Sequence, residues 1–180
     1  MRVITGKARG VVLKTPDGMA TRPTADRVKE AMFNIIQFEI PAARVLDLFG
    51  GTGQLGIEAL SREAKSAVFV DEREEACKLI RENLKRTKLE QQGKVVRSDY
   101  MAYLKSCREK FDIILLDPPY AEVFLENSLK MITEIDILQS GGIIVTERPA
   151  DKELPWEFPG YSRSRDYKYG KTLITIYRKL

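Results

Sequence analysis

A chain of 180 residues, 43% hydrophobic and 31% charged, has the size and composition of one globular domain, and no apolar stretch approaches the roughly 20 residues that span a bilayer. Histidine is absent, and the two cysteines, Cys77 and Cys107, form no C-x-x-C pair, which excludes His-based proton shuttles and Ser-His-Asp triads and leaves no metal site to expect. The net charge of +4 is unevenly divided, because residues 1–30 hold seven Lys/Arg against three Asp/Glu and residues 161–180 hold six against one, so basic ends flank an acidic middle in the manner of a polyanion-binding body.

Residues 1–22 alternate small, basic and β-branched types around Gly6, Gly10 and Gly18, and predict a basic β-hairpin arm ahead of a catalytic body over residues 23–180 of the same single domain. Lys7, Arg9 and Lys14 lie along that arm, where exposed cations could grip phosphates. Thr21-Arg22-Pro23-Thr24 reads as a turn into a helix, with Thr24 at the N-cap and Asp26 in the first turn. Val28, Met32, Ile35 and Ile36 give this helix one apolar face, and Pro41 closes it. From Arg44 onward strands and helices alternate. Strands are predicted over Arg44–Phe49, Ser66–Asp71, Lys94–Arg97, Phe111–Leu116 and Ile143–Glu147. Helices are predicted over Gln54–Arg62, Arg73–Lys88, Asp99–Cys107 and Glu122–Leu138. The alternation implies an α/β, Rossmann-like fold with a mostly parallel sheet covered on both faces. Two last strands, Tyr161–Tyr167 and Thr172–Arg178, flank Gly170 and form an antiparallel C-terminal hairpin.

The first strand runs into Asp47-Leu48-Phe49-Gly50-Gly51-Thr52-Gly53, a loop whose glycines let the backbone approach a ligand ahead of a helix N-terminus. Gly51, Gly53 and Gly56 also satisfy G-x-G-x-x-G, and Asp71 follows Gly51 by twenty residues, so spacing alone permits a dinucleotide. Asp47 argues against it: a carboxylate ahead of the loop opposes a pyrophosphate and favours a cation. S-Adenosylmethionine carries an ammonium and a sulfonium and no phosphate. Asp71 ends the second strand, where a carboxylate can take ribose hydroxyls, and Asp99 follows the third, with Tyr100 beside it for an adenine ring.

The fourth strand stops at Asp117-Pro118-Pro119-Tyr120, because neither proline can donate to a ladder. Two acceptors, the Asp117 carboxylate and the Pro118 carbonyl, followed by the Tyr120 ring, suit a planar heterocycle that carries an NH2 group. Catalysis would then be positioning and charge stabilisation, with no histidine needed. From the residues alone, an amino-methylase acting on adenine or cytosine, a nicotinamide dehydrogenase and a non-catalytic RNA-binding protein remain open.

Asp117 to Tyr120 matches the [D/N/S]-P-P-[Y/F/W] signature of class I amino-methyltransferases, and the chain more closely resembles the RsmD family of ribosomal RNA methyltransferases. Arg2-Val3-Ile4-Thr5-Gly6, Thr21-Arg22-Pro23-Thr24, Asp26 to Asn34 and Leu55 to Arg62 carry that narrower likeness, which continues through Tyr169-Gly170. Two departures are small: Gly50-Gly51-Thr52-Gly53 stands where the family often has Ala-Gly-Ser-Gly, and Glu63-Ala64 where it has Gly-Ala. The resemblance implies methyl transfer from S-adenosylmethionine to N2 of guanine 966 in 16S ribosomal RNA, presented on the small subunit; the lack of an apolar span or signal core predicts a cytoplasmic protein, and a monomer is expected. It implies a cofactor set of Asp47, Phe49, Gly51, Thr52, Gly53, Asp71, Glu72, Asp99 and Tyr100, and catalysis by Asp117, Pro118, Pro119 and Tyr120. RNA contacts are expected from Lys7, Arg9, Arg22, Thr24 and Arg27.

Overall fold

Five apolar runs form the parallel heart of one sheet: β1 (Arg44–Asp47), β2 (Ser66–Asp71), β3 (Gly93–Arg97), β4 (Phe111–Leu116) and β5 (Leu138–Pro149). These come from a computed structural model that describes residues 1–17, 23–119, 121–155 and 157–180. Helices α1 (Pro23–Ile35), α2 (Gln54–Ser61), α3 (Glu74–Thr87), α4 (Tyr100–Ser106) and α5 (Ala121–Ile135) cover it. The short β6 (Glu157–Phe158) and the hairpin β7 (Tyr161–Tyr169) and β8 (Thr172–Lys179) complete the order β3-β2-β1-β4-β5-β8-β7-β6, with β8 antiparallel to β5. Among the described residues no helix is long and apolar enough to cross a membrane.

Strand alternation divides the core in two. Val45, Ile113, Leu115, Ile143 and Val145 face α1, α2 and α3, while Leu46, Ile114, Leu116 and Ile144 face α4 and α5. Chain order reverses between β1 and β4, so a crevice opens beyond their carboxyl ends. β1 stops at Asp47, two residues short of the expected end, because the chain leaves the sheet into the glycine loop. The helix expected to reach Leu138 ends at Ile135, where Asp136 turns left-handed at φ 56°, and Leu138 opens β5 instead. Thr24 lies inside α1, one residue after Pro23, and so does not cap it; proline's fixed φ suits that first position.

The N-terminal arm is fastened to the body. Its hairpin reduces to one antiparallel bridge, Arg2 to Val12, because Val3, Ala8 and Leu13 turn inward and are buried. The fully buried Glu58 of α2 accepts from the backbone N–H of Ile4 at 2.9 Å and of Thr5 at 3.0 Å. Ser61 Oγ accepts from Ala8 N at 2.9 Å and donates to Thr5 O at 2.6 Å, and Lys29 Nζ donates to Arg2 O at 2.7 Å. Asn83 of α3 ties the segment to the glycine loop: it donates to Lys14 O at 3.0 Å and to Thr52 O at 2.9 Å.

Candidate functional site

A cavity of about 630 Å³ occupies the crevice at the ends of β1, β2 and β4. Its floor is the loop after β1. Gly53 adopts φ 81° at the start of α2, a left-handed conformation that favours glycine, and a Cβ there would crowd Ile80 at 3.1 Å. Gly56 lies so close to Phe69 that a Cβ would come within 2.3 Å of the ring, so the helix can lean onto β2 only without a side chain.

Asp47, 1% exposed, anchors this loop by accepting from Gly56 N at 3.1 Å through Oδ2. Its Oδ1 is buried and makes no well-aligned hydrogen bond among the described residues, although the Phe49 N–H lies close enough to favour the charged form. Burial pushes the carboxyl up to about 7, opposed by the Gly56 and Phe49 N–H groups and reinforced by the charges of Asp117 and Asp71. A buried acid in the cavity lining favours a cationic ligand and opposes a pyrophosphate.

Asp71 is already engaged. It accepts from Gly51 N at 3.0 Å, Arg73 N at 3.0 Å and the Arg73 guanidinium at 3.1 and 3.2 Å. Asp99 caps α4, taking Ala102 N at 3.0 Å, and also lines the cavity, so its structural role does not preclude contact with a ligand. Tyr100 packs 5.3 Å from Phe49, and Phe124 of α5 meets both rings at 5.4 and 6.2 Å. These three rings make an apolar wall suited to a purine. Glu72 and Thr52 line the same cavity, and Thr52 Oγ1 donates to the Met1 sulfur at 3.3 Å.

Asp117, Pro118 and Pro119 close the side of the cavity above β4. Desolvation raises the Asp117 carboxyl to about 6. Next to it, in β5, burial and then the Asp117 charge push Glu147 up to about 8. Tyr120 and Arg22 fall outside the described residues.

The phosphate-binding candidates are dispersed. Lys7, Arg9 and Arg27 are exposed, as expected of such residues. Lys7 N, however, donates to Ser61 O at the end of α2 remote from the cavity, while Gln54 at the other end lines it. The two lie seven residues apart along the helix, about 10 Å. Lys14 pairs with Glu82 at 2.6 Å, so the arm offers fewer free cations than its composition implies.

Met1, Phe124 and Glu147 were not among the residues the sequence singled out. For Glu147 a signal was available, since the strand expected from sequence ends on this acid, the pattern that marks Asp47, Asp71 and Asp117, although β5 runs on to Pro149. Phe124 carries none, because its ring reaches the cavity only through the placement of α5.

The strand order and the glycine loop at its switch point define a class I methyltransferase fold. The family model described as Conserved hypothetical protein 95 matches residues 1–178. YlbH of Bacillus subtilis (strain 168) is 41% identical over 182 residues, covering 99% of each chain. Ribosomal RNA small subunit methyltransferase D of Escherichia coli (strain K12) is 31% identical over 179 residues, 99% of this chain and 90% of that one. Among solved structures, yhhF from Escherichia coli superposes with a TM-score of 0.90 at 30% identity, over 99% of this chain and 97% of that one. The chain therefore belongs to this family, the RsmD family of methyltransferases.

Proposed function

We propose that the protein methylates small-subunit ribosomal RNA, transferring a methyl group from S-adenosylmethionine to N2 of guanine 966 in 16S RNA. The observation that carries this reading is the Asp117-Pro118 acceptor pair at a cavity that the buried Asp47 carboxyl, on the neighbouring strand, also lines. The relatives named for small-subunit RNA methylation support the substrate class.

Asp47 would face the cofactor's cationic end, Asp71 and Glu72 its ribose, and Asp99 with Tyr100 and Phe49 its adenine. S-Adenosylmethionine, when bound, supplies a methyl group on a positively charged sulfur. Asp117 and the Pro118 carbonyl accept the two amine hydrogens of the base, so the nitrogen lone pair turns out of the ring and toward that methyl. A nitrogen that accepts the methyl group would become cationic, and Asp117 would stabilise that charge, with Asp117 or water taking the proton. Tyr120 would stack on the target base, which must leave its neighbours to enter. The test is transfer of labelled methyl to undermethylated small subunits, followed by mass mapping of the modified nucleoside. Label on adenine or cytosine would replace guanine as the target. Calorimetry showing NAD bound and S-adenosylmethionine ignored would replace the class of reaction.

Two further results are expected. A cation beside Asp47 favours its ionised form, so binding below about pH 7 must expel a proton. Cofactor affinity should therefore fall about tenfold from pH 8 to pH 6, the shift expected when one group titrates near 7. The calorimetric profile should flatten in Asp47→Asn, and a flat wild-type profile would contradict the assignment of Asp47. In the RNA complex, Lys7→Ala/Arg9→Ala should reduce the slope of log affinity against log salt by about 1 to 2, as each lost phosphate contact removes roughly one. An unchanged slope removes the N-terminal segment from the RNA footprint.

A further inference from the structure

Glu147 lies in β5, two residues before its end at Pro149, and Asp117 directly follows β4. The strands pair in parallel through Leu116 and Thr146, so the two acids follow at the same level. Residues two apart in a strand share a face: Val45, Leu115 and Val145 lie on the side packed against α1 to α3, and Asp47, Asp117 and Glu147 each come two residues later. Strand order thus places Asp47, Asp117 and Glu147 in sequence across one edge, with Asp47 on the cofactor side and Glu147 beyond Asp117 on the other. Among the described residues the Glu147 carboxylate has no ion pair or hydrogen bond, and the adjacent Asp117 charge opposes its ionisation. A partly buried acid in that position keeps acceptor capacity that a donor on a bound base can take up.

We propose that Glu147 is a specificity-determining residue that accepts the ring N1–H of the target guanine while Asp117 holds the neighbouring N2 amine. The inference rests on the guanine reading above. Guanine alone among the amino-bearing RNA bases presents a ring N–H beside its amine; adenine and cytosine present a ring acceptor there, which would face the carboxylate lone pairs. Neighbouring strands stand about 4.8 Å apart, close enough for side chains of different length to converge on adjacent N–H groups. Two donors on one base supply the stabilisation that the protein withholds from this acid. A site built around such a bond rejects analogues that lack the donor, because its buried acceptor is then left unpaired.

The experiment uses small subunits reconstituted with guanine or 2-aminopurine at the methylated position. 2-Aminopurine keeps the 2-amino group but has an acceptor at N1. Equilibrium binding is measured with S-adenosylhomocysteine, which permits no turnover, and methyl transfer is measured separately. Above about pH 8, where Glu147 is ionised, wild type should favour guanine by about tenfold or more in binding, the loss expected for one missing hydrogen bond to a charged acceptor. Glu147→Gln keeps the shape and adds an N–H donor, and should bring the ratio within about threefold of unity. The ratio is internal to each preparation, so partial misfolding does not mimic the result. An undiminished preference in Glu147→Gln would overturn the role of Glu147 and leave the guanine reading intact. Wild-type label found on a nucleoside other than guanine would overturn that reading, and the inference with it.

Discussion

Asp117→Ala should lower kcat for methyl transfer by about a hundredfold to a thousandfold, the range seen when one preorganised electrostatic partner of a reacting centre is removed. The carboxylate would aim the amine and meet the positive charge that appears on nitrogen as the methyl arrives; alanine does neither. Asp117→Asn keeps one acceptor oxygen without the charge and should fall between the two. The effect should not come through the cofactor. Asp117 is one of the charges that raise the Asp47 carboxyl, so its removal lets Asp47 ionise more readily. Calorimetry at pH 7 should therefore show S-adenosylmethionine binding held or tightened in the variant that has lost turnover. Single-turnover rates separate the possibilities: an unchanged rate removes Asp117 from the chemistry, and a loss confined to KM reassigns it to binding that is uniform between ground and transition states.

Glu58→Ala should destabilise the fold by about 3 to 5 kcal/mol, the cost of leaving a buried charge cluster without one partner. Glu58 is fully buried and holds Arg62 at 3.0 Å, with Lys29 at 3.9 Å. Arg62 also lies over the Phe33 ring at 5.2 Å, so the cluster joins α2 to α1. Alanine would strand two cations and leave the N–H groups of Ile4 and Thr5 without acceptors. The urea midpoint should drop by more than about 1 M, given slopes of about 1 to 3 kcal/mol/M for small proteins. Amide exchange at Ile4 and Thr5 should accelerate before the core opens, as expected for a segment released locally. Glu58→Gln restores an acceptor without the charge and should recover only part of the loss. A midpoint within 0.3 M of wild type, with Ile4 and Thr5 still protected, would mean the N-terminal segment is held by Val3, Ala8 and Leu13 alone.

Local pattern carried most of the architecture. Buried strands are apolar runs ended by glycine, proline or an acid, and helices repeat their apolar face every three to four residues, so the alternation and the C-terminal hairpin could be read directly. The same logic brought out Asp47, Asp71 and Asp117, because an acid that ends a buried strand is conspicuous against its neighbours. It did not extend to the N-terminal segment. Alternating small and basic residues suggested an exposed hairpin, yet three inward apolar side chains and the buried acceptors of Glu58 and Ser61 draw it onto α2. Lys7 consequently lies near Ser61, away from the cavity its charge seemed made to serve.

What the sequence determined by itself was the set of elements and the chemistry at their ends: the glycine loop, the acids and the Asp117-Pro118 acceptors, each a property of a few consecutive residues. What only the tertiary structure decided was which of those ends stand together. Pairing of β4 with β5 sets Glu147 beside Asp117 across thirty positions of chain, and the docking of α5 brings Phe124 to Tyr100 and Phe49. Periodicity reports the face on which a residue lies, whereas its neighbour on that face is chosen by strand register and by the packing of distant side chains.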